Sequence, residues 1–374
     1  MVWDLFCRVI DNFGDIGVCW RLAAELGRRG QRVRLWSDDS SALAWLAPGA
    51  VQGRTPGVQV IDWTEPAADL SPGEVVVEAF GCAPPDGFVA RMAVARPAPV
   101  WINLEYLSAE PYAERSHGLA SPQFAGPGAG LKKWFFYPGF TAATGGLLQC
   151  PADQDAVDPA AAERAASAQA RAWVADRGWA AAPGERAITV FCYDNPALPA
   201  LLPALLQAMP SQATLLRLPP GPAQIQLRAL QQASALPSRL RLIDLPYLPQ
   251  TDFDRLLAAA DLNLVRGEDS FVRAQCAASA PFVWQIYPQH DGAHGPKLEA
   301  FLDLYLAGQP PALAGAVRAV FRGFNGLGRL PAVLPAWPDW CRLHAGWRCR
   351  LQSPARAPTD LCSQLMRFVA LKQV

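Results

Sequence analysis

The feature that most constrains the fold is a repeated alternation of short β-branched runs with helical segments. In the first half, the runs VWDLFCRVI, VRLWS, VQVIDW, VVVEAF and VWINLEYL are separated by turns rich in proline and glycine. Residues 17–29, between the first two runs, have the spacing of an amphipathic helix. Apolar strands joined through helices are typical of a parallel sheet covered on both faces. The first half therefore predicts a doubly wound α/β domain.

The alternation stops at an alanine-rich segment and then restarts. Residues 151–183 carry charges at helical intervals, which predicts a linker with one helix. The strands AITVFCY, ATLLRL, LRLIDL, DLNLVRG and PFVWQIY follow, with helical segments between them. A chain of 374 residues fits two domains of about 150 residues each. We predict domains at 1–152 and 183–350, a linker at 153–182, and a last helix at 357–374 that joins the first domain.

Two Rossmann-like domains facing across a cleft form the arrangement called GT-B, which many nucleotide-sugar-dependent glycosyltransferases share. Periplasmic binding proteins and some epimerases have a similar organisation. The predicted fold class, α/β of the GT-B type, therefore does not by itself define the chemistry.

Composition excludes several classes of function. The chain has 33 basic and 33 acidic residues and no basic stripe, which argues against nucleic acid as a partner. Asp4 and Arg8 interrupt the first apolar run, and no run reaches the ~18 apolar residues of a spanning helix, so we predict no membrane partner. Nine cysteines without a C-x-x-C pair are typical of reduced thiols, which predicts a cytoplasmic protein.

The first turn, DNFGDIGVCWRLA, is acidic where phosphate-binding turns are glycine-rich. It has Gly14 and Gly17 but lacks G-x-G-x-x-G, and Asp11 and Asp15 would repel a phosphate. Asp15 alone also fits a favourable anion at a helix N-terminus, worth about 0.3–1 kcal/mol. The carboxyl ends of parallel strands meet at one edge, so both carboxylates are expected to converge there, beside Asn12 and Phe13. Such a pair suits a cationic group or a departing proton.

The loop RGEDS in the second half predicts an anion site. Ser270 is expected to be the N-cap of the helix that follows, whose free amides attract phosphate. Arg266, just before Gly267, is able to add a charge-assisted contact to a phosphate or a sugar hydroxyl. An ordinary capped helix with an ion-paired arginine is an equally good interpretation of these residues.

Aromatic residues at strand ends are candidates for stacking on a nucleobase. The segments FCYDNP and LPYLPQTDF supply Phe191, Tyr193, Tyr247, Gln250 and Phe253, although each ring also fits a hydrophobic core. Two D-x-D matches, at 153–155 and 252–254, are best explained as solvated or helix-capping residues. We therefore expect no metal site and no cofactor.

Five segments together resemble the bacterial protein-arginine rhamnosyltransferases of the EarP type, which modify translation elongation factor P. They are DNFGDIGVCWRLA, INLEYLSAE, FFYPGFTAATGGLL, RGEDSFVRAQ and PFVWQIYPQHDGAHGPKLEAFL. The resemblance implies an inverting, metal-independent enzyme that moves L-rhamnose from dTDP-β-L-rhamnose to an arginine of elongation factor P. The chain departs from the family pattern at Cys276 and Tyr247, which puts local packing of the donor pocket in doubt.

The resemblance also implies which residues act. The catalytic residues are Asp11, Asp15 and Glu268, and Asn12, Phe13 and Gly14 of the acidic turn are substrate-binding residues. The donor pocket comprises Phe191, Tyr193, Tyr247, Gln250, Phe253, Arg266, Gly267, Asp269 and Ser270.

An arginine side chain stays protonated in proteins, so its proton has to leave as the new C–N bond forms. We therefore assign Asp15 as general base and Asp11 as the group that orients the guanidinium, while the reverse assignment stays open. Glu268 is either catalytic or a donor contact. Two alternatives stay open: a GT-B enzyme acting on a glycan or lipid, and a non-catalytic nucleotide-sugar-binding module.

Overall fold

The structure is a computed structural model that describes residues 1–10, 13–63, 70–148, 159–277, 280–288, 292–352 and 360–373. Its first half contains β1 Val2–Cys7, α1 Gly14–Arg28, β2 Arg32–Ser37, α2 Leu43–Leu46, β3 Val58–Asp62, β4 Val75–Ala79, α3 Asp86–Val94, β5 Val100–Leu104, α4 Pro111–Ser116, β6 Ala120–Pro122 and β7 Lys132–Phe136.

The second half follows the same alternation. It contains α5 Pro159–Asp176, β8 Glu185–Val190, α6 Leu198–Ala208, β9 Ala213–Leu218, α7 Pro222–Gln232, β10 Leu240–Asp244, α8 Gln250–Ala258, β11 Leu262–Arg266, α9 Asp269–Cys276, β12 Phe282–Gln285, α10 His294–Tyr305, α11 Pro311–Phe324, α12 Trp337–Gln352 and α13 Leu361–Lys372.

These elements form two compact units, one comprising Met1–Gln149 with Ser353–Val374 and the other Cys150–Gln352. The first unit has a seven-stranded sheet in the order β3-β2-β1-β4-β5-β7-β6, and the second a five-stranded sheet in the order β10-β9-β8-β11-β12. All strand pairs are parallel except β6 with β7. The predicted GT-B class, with its two Rossmann-like sheets, is confirmed.

Each sheet reverses its strand order beside its first strand. In the first unit β1 lies between β2 and β4, and in the second β8 lies between β9 and β11. Open α/β sheets bind ligands at the carboxyl ends of the strands at this switch point. The turns that follow β1, β4, β8 and β11 are therefore where binding chemistry is expected.

The core of the first unit lies on both faces of its sheet. Leu5 and Ile16 belong to the cluster that packs β1 against α1 and α13, whereas Phe6 and Trp36 belong to the cluster on the opposite face. Asp4 is fully buried within β1, and its carboxylate accepts hydrogen bonds from Arg34 (2.6 Å), the indole of Trp36 (2.8 Å) and Gly73 N–H (2.7 Å). This carboxylate is structural, since all of its partners lie within the fold.

The last helix, α13, packs into the same core as α1. Asp360 caps α13 by accepting from the Cys362 and Ser363 amides, each at 3.1 Å, and it also pairs with Arg29 at 2.5 Å. Helix α5 packs against α8 in the second unit through Ala170, Val174 and Leu256. The helix predicted for the linker therefore contributes to a hydrophobic cluster of that unit.

Two strands and several strand ends, among them that of β1, differ from the sequence predictions. The sequence analysis did not predict β6 and β7. Strand β1 ends at Cys7 rather than running to Ile10, because the next backbone amides bond to side chains: Val9 N–H to Asp38 (2.9 Å) and Ile10 N–H to Asp15 (2.9 Å). The chain therefore leaves the sheet three residues earlier than the apolar pattern predicts.

The state of the cysteines tests the expectation of reduced thiols, and the lengths of the helices test whether any of them could span a membrane. Seven cysteines are free within the described part of the chain, but Cys276 is disulfide-bonded, so the expectation of reduced thiols is wrong at that residue. No helix among the described residues is long and apolar enough to cross a membrane.

Candidate active site

Asp15 lies in the first turn of α1, immediately beyond the carboxyl end of β1. The residue is 3% exposed, and its Oδ2 accepts the Ile10 N–H at 2.9 Å. The Tyr106 hydroxyl lies 3.4 Å from Oδ1, at the long limit of a hydrogen bond. The Ile10 amide thus fixes the orientation of the carboxylate, whose oxygens are each able to accept more than one hydrogen bond.

Helix α1 begins at Gly14, three residues earlier than the sequence predicts. Phe13 occupies the N-cap position, its carbonyl accepts the Gly17 N–H at 3.0 Å, and its ring packs edge-on against Trp45 at 4.9 Å. This places Asp15 inside the helix, where the N-terminal partial positive charge favours an anion. Asp11 and Asn12 fall outside the described residues.

Sequence reasoning missed an aromatic pair beside Asp15. The rings of Phe80 and Tyr106 are stacked 4.2 Å apart at an interplanar angle of 10°. Phe80 follows β4 and has a φ of +58°, a region that bulky residues rarely adopt. Tyr106 follows β5 and is 39% exposed. The only sequence signal was the position of INLEYLSAE at the end of a predicted strand.

A second carboxylate in the same segment, that of Glu105, also lies at the end of β5. The amide of Asn103 donates to Glu105 Oε1 at 2.7 Å, and burial is the largest cause raising the pKa of Glu105 above its ordinary value. Lys133 is bonded to the buried Glu78 at 2.7 Å. Sequence reasoning did not single out any of these residues.

The second unit has its own cluster at the ends of β8 and β11. Arg266 is 7% exposed, and its guanidinium lies over the rings of Phe191 (4.5 Å) and Tyr193 (4.9 Å). Its Nη1 is buried without a hydrogen-bond partner. An orphaned buried donor of this kind carries a desolvation cost that an anionic ligand would relieve.

The prediction that Ser270 caps α9 is wrong. The helix begins at Asp269, with Glu268 in the N-cap position and no side-chain cap. Instead the Ser270 hydroxyl bonds the backbone of Arg266, donating to its carbonyl and accepting its N–H at 3.2 Å. Gly267, at φ +61°, makes this tight turn possible because other residues are strained there. The hydroxyl therefore holds the turn that presents Arg266.

The remaining predicted donor residues lie around the start of α8. Gln250 is buried and its amide donates to Asp269 at 3.2 Å. Phe253 packs edge-on against Phe191 at 5.1 Å, whereas Tyr247 is 52% exposed. The structure thus brings Phe191, Tyr193, Phe253 and Arg266 into one cluster and joins Gln250 to Asp269.

Two further side chains of this edge were missed. Gln285, at the end of β12, accepts the Tyr193 N–H at 2.9 Å and so fixes the backbone that carries that ring. Tyr287, which is 47% exposed, packs edge-on against Tyr193 at 5.5 Å. Both belong to the segment PFVWQIYPQHDGAHGPKLEAFL, whose strand was predicted but whose side-chain roles were not.

Two buried cysteines, Cys82 and Cys192, and the D-x-D matches are the other residues with chemistry of their own to place. Burial raises the pKa of Cys82 and of Cys192 to about 12, so both thiols stay protonated near neutral pH. No group of three or more His, Cys, Asp or Glu in this part of the chain is arranged to hold a metal ion. Of the D-x-D matches, Asp153 and Asp155 lie outside the described residues, and Asp252 pairs with Arg255 at 2.9 Å.

Comparison with known proteins gives one consistent answer over nearly the whole chain. Residues 3–370 match the family model described as Elongation-Factor P (EF-P) rhamnosyltransferase EarP. A protein-arginine rhamnosyltransferase of Pseudomonas aeruginosa is 40% identical over 384 residues and covers 98% of both chains. One of Neisseria meningitidis is 37% identical over 365 residues, covering 92% of this chain and 90% of the other.

A solved structure agrees with these sequence matches. It is described as the structural basis for EarP-mediated arginine glycosylation of translation elongation factor EF-P, and it is 29% identical, covers 99% of each chain and gives a TM-score of 0.61.

Proposed function

The chain belongs to the EarP family of elongation factor P rhamnosyltransferases, and we propose that its two units divide the reaction between them. As a protein-arginine rhamnosyltransferase, it moves rhamnose from a nucleotide-sugar donor to an arginine side chain of elongation factor P. In this proposal, carboxylates of the first unit meet the cationic acceptor. The second unit holds the nucleotide diphosphate.

The chemistry requires a base that acts while the new bond forms. A guanidinium is a poor nucleophile, because it is protonated and its lone pair is delocalised. As a guanidine nitrogen attacks the anomeric carbon, the bond to the diphosphate breaks and one N–H proton leaves. We assign that proton to Asp15 and the orientation of the guanidinium to Asp11. One direct displacement inverts the anomeric centre.

The observation that carries this proposal is the fixed geometry of Asp15. Its carboxylate is buried at the switch point of the first sheet and oriented by the Ile10 amide, with the Tyr106 hydroxyl at 3.4 Å. A general base is effective when its acceptor oxygen is held within hydrogen-bond reach of the reacting proton. A carboxylate also stabilises the positive charge that develops on the sugar at an oxocarbenium-like transition state.

For the donor we propose dTDP-β-L-rhamnose, with its diphosphate at Arg266 and the first turn of α9. The unpartnered Nη1 of Arg266 supports this assignment, and a helix N-terminus such as that of α9 attracts anions. Phe191, Tyr193, Tyr247 and Phe253 are proposed to surround the base. Gln250, Gly267, Asp269 and Ser270 shape the pocket, and Glu268 contacts either the sugar or the acceptor.

Transfer is expected to survive an excess of EDTA. In the proposal the charge on the leaving diphosphate is neutralised by Arg266 and helix amides, which are not removed by a chelator. The measurement is the initial rate of transfer with and without EDTA, followed by addition of Mg²⁺. A rate that collapses in EDTA and returns with Mg²⁺ would contradict the metal-independent mechanism.

The function itself is tested by mass spectrometry of the acceptor. Incubation with dTDP-β-L-rhamnose and elongation factor P should add one deoxyhexose to a single arginine, with the α anomer as product. A matched control replaces that arginine by lysine, which should stay unmodified. Modification of a glycan or lipid instead, or donor binding without transfer, would favour the alternative glycosyltransferase or binding-module functions. Because the acceptor is a translation factor, we propose that the reaction occurs in the cytoplasm.

A further inference from the structure

Glu105 lies on the same sheet edge as the proposed base. It follows β5 directly, and the next residue, Tyr106, places its hydroxyl 3.4 Å from Asp15. Strand β5 is hydrogen-bonded to β4, which is the neighbour of β1 at the switch point. Glu105 and Tyr106 are consecutive, so the residue that carries the Glu105 carboxylate adjoins the residue that contacts Asp15 at this end of β5.

The Glu105 carboxylate is partly desolvated without a paired cation. Burial is the largest cause raising its pKa, the Asn103 amide opposes the shift, and the charge of Glu78 adds to it. The charge of Lys133 acts in the opposite direction and lowers the pKa of Glu105, but its ammonium is bonded to Glu78 and lies over the Trp101 ring at 4.7 Å. Among the described residues, Glu105 forms no ion pair within 4.0 Å. An incoming cation would relieve the cost of burying this charge.

Resting on the function proposed above, we infer that Glu105 is an acceptor-binding residue that receives the guanidinium of the target arginine beside Asp15. A guanidinium has five N–H donors in one plane, so one carboxylate leaves most of them without acceptors. Asp15 already accepts the Ile10 amide. Glu105 supplies a charged acceptor in addition to Asp15 and Asp11, and the Phe80–Tyr106 stack supplies a flat surface of the kind that guanidinium groups favour.

Four other ionisable groups lie around Glu105, namely an ion pair and two phenols. Glu78 and Lys133 form an ion pair behind it, and Tyr112 and Tyr137 face it from α4 and from the segment after β7. Burial, with a smaller contribution from Glu105, raises the pKa of Tyr137 to about 12, and the pKa of Tyr112 is also raised. Both phenols are therefore neutral throughout the range in which Glu105 ionises.

The test is steady-state transfer to elongation factor P by Glu105→Gln, with its pH dependence. The KM for the acceptor should rise at least about tenfold, since hydrogen bonds to charged groups are worth that much. The Kd for dTDP should not change. In the wild type the acceptor KM should fall as pH rises through the Glu105 pKa, which lies above that of an ordinary carboxyl. In Glu105→Gln this dependence should be absent.

Two further variants distinguish the loss of the Glu105 charge from a disturbance of the fold. Glu105→Asp keeps the charge and should recover part of the acceptor affinity, whereas Glu74→Gln, at the amino end of β4, should match the wild type. An unchanged acceptor KM and pH profile in Glu105→Gln, while the wild type transfers rhamnose normally, would overturn this inference alone. A wild type that binds donor but never modifies arginine would overturn the proposed function as well.

Discussion

Replacement of Asp15 by asparagine is expected to lower kcat for transfer by about 10²–10⁴-fold, the usual contribution of a general base. Asparagine has nearly the same shape, and its carbonyl oxygen is able to accept the Ile10 amide as Oδ2 does now. It lacks the basicity to take the guanidinium proton. The Kd for dTDP, measured by calorimetry, should stay within several-fold of the wild-type value, because Asp15 belongs to the first unit.

The matched control is Asp86→Asn, which makes the same change in the first turn of α3 in the same unit. Asp86 is exposed, so this variant should transfer rhamnose at the wild-type rate. Near-normal turnover of Asp15→Asn would remove Asp15 from the base role and leave Asp11 as the candidate. Loss of dTDP binding together with turnover would instead mean that the substitution disturbs the whole protein.

Replacement of Arg266 by alanine is expected to weaken dTDP binding by about 10–100-fold, because charge-assisted hydrogen bonds contribute about 1.5–3 kcal/mol each. The guanidinium lies over the rings of Phe191 and Tyr193, and its Nη1 is buried and unpartnered. Arg266→Lys should recover only part of the affinity, since an ammonium lacks the planar arrangement of donors. Calorimetric titration with dTDP measures all three proteins.

The control for Arg266→Ala is Arg241→Ala. Arg241 also lies in the second unit, but its side chain is 47% exposed and pairs with Glu185 near the amino end of β8. Breaking an exposed pair costs at most about 1 kcal/mol of stability, so dTDP binding should not change. Equal affinities of Arg266→Ala and the wild type for dTDP would show that the diphosphate binds elsewhere.

The sequence predicted the central strands of both sheets but missed two strands of the first sheet, β6 and β7. Apolar runs identified β1, β4, β5, β8 and β11, because central parallel strands are apolar on both faces. Strand β7 was missed because it begins with two lysines, and β6 because it has three residues and ends in proline. Edge strands such as β6 lack the apolar pattern that reveals a strand.

The candidate residues of the second half were predicted as a group, but the predicted role of Ser270 as an N-cap was wrong. A serine before FVRAQ suggests an N-cap, yet Ser270 turns its hydroxyl back to the Arg266 backbone. The tight turn at Gly267 determines this direction of the Ser270 hydroxyl. The turn is in contact with Trp284, whose indole donates to the Gly267 carbonyl at 2.6 Å. A contact between residues 17 positions apart has no signature in the local sequence.

On the acceptor side, the sequence pattern predicted one residue but not the side chains that lie near it. Asp15 was predicted from its place in an acidic turn, but Phe80, Glu105 and Tyr106 were not. Their proximity depends on β4 and β5 being neighbours and on Phe80 adopting a positive φ. A strained backbone is maintained by surrounding packing, here the stack on Tyr106, rather than by the preference of phenylalanine.

The central claim is that the second unit binds the donor and the first unit binds the acceptor. Its most direct test measures the affinity of both ligands for one variant in each unit. Calorimetric titrations would give the Kd of dTDP and of elongation factor P for the wild type, Arg266→Ala and Glu105→Gln. We predict that Arg266→Ala loses affinity for dTDP alone and that Glu105→Gln loses affinity for elongation factor P alone. The opposite pattern, with dTDP affinity lost in Glu105→Gln and retained in Arg266→Ala, would contradict the account.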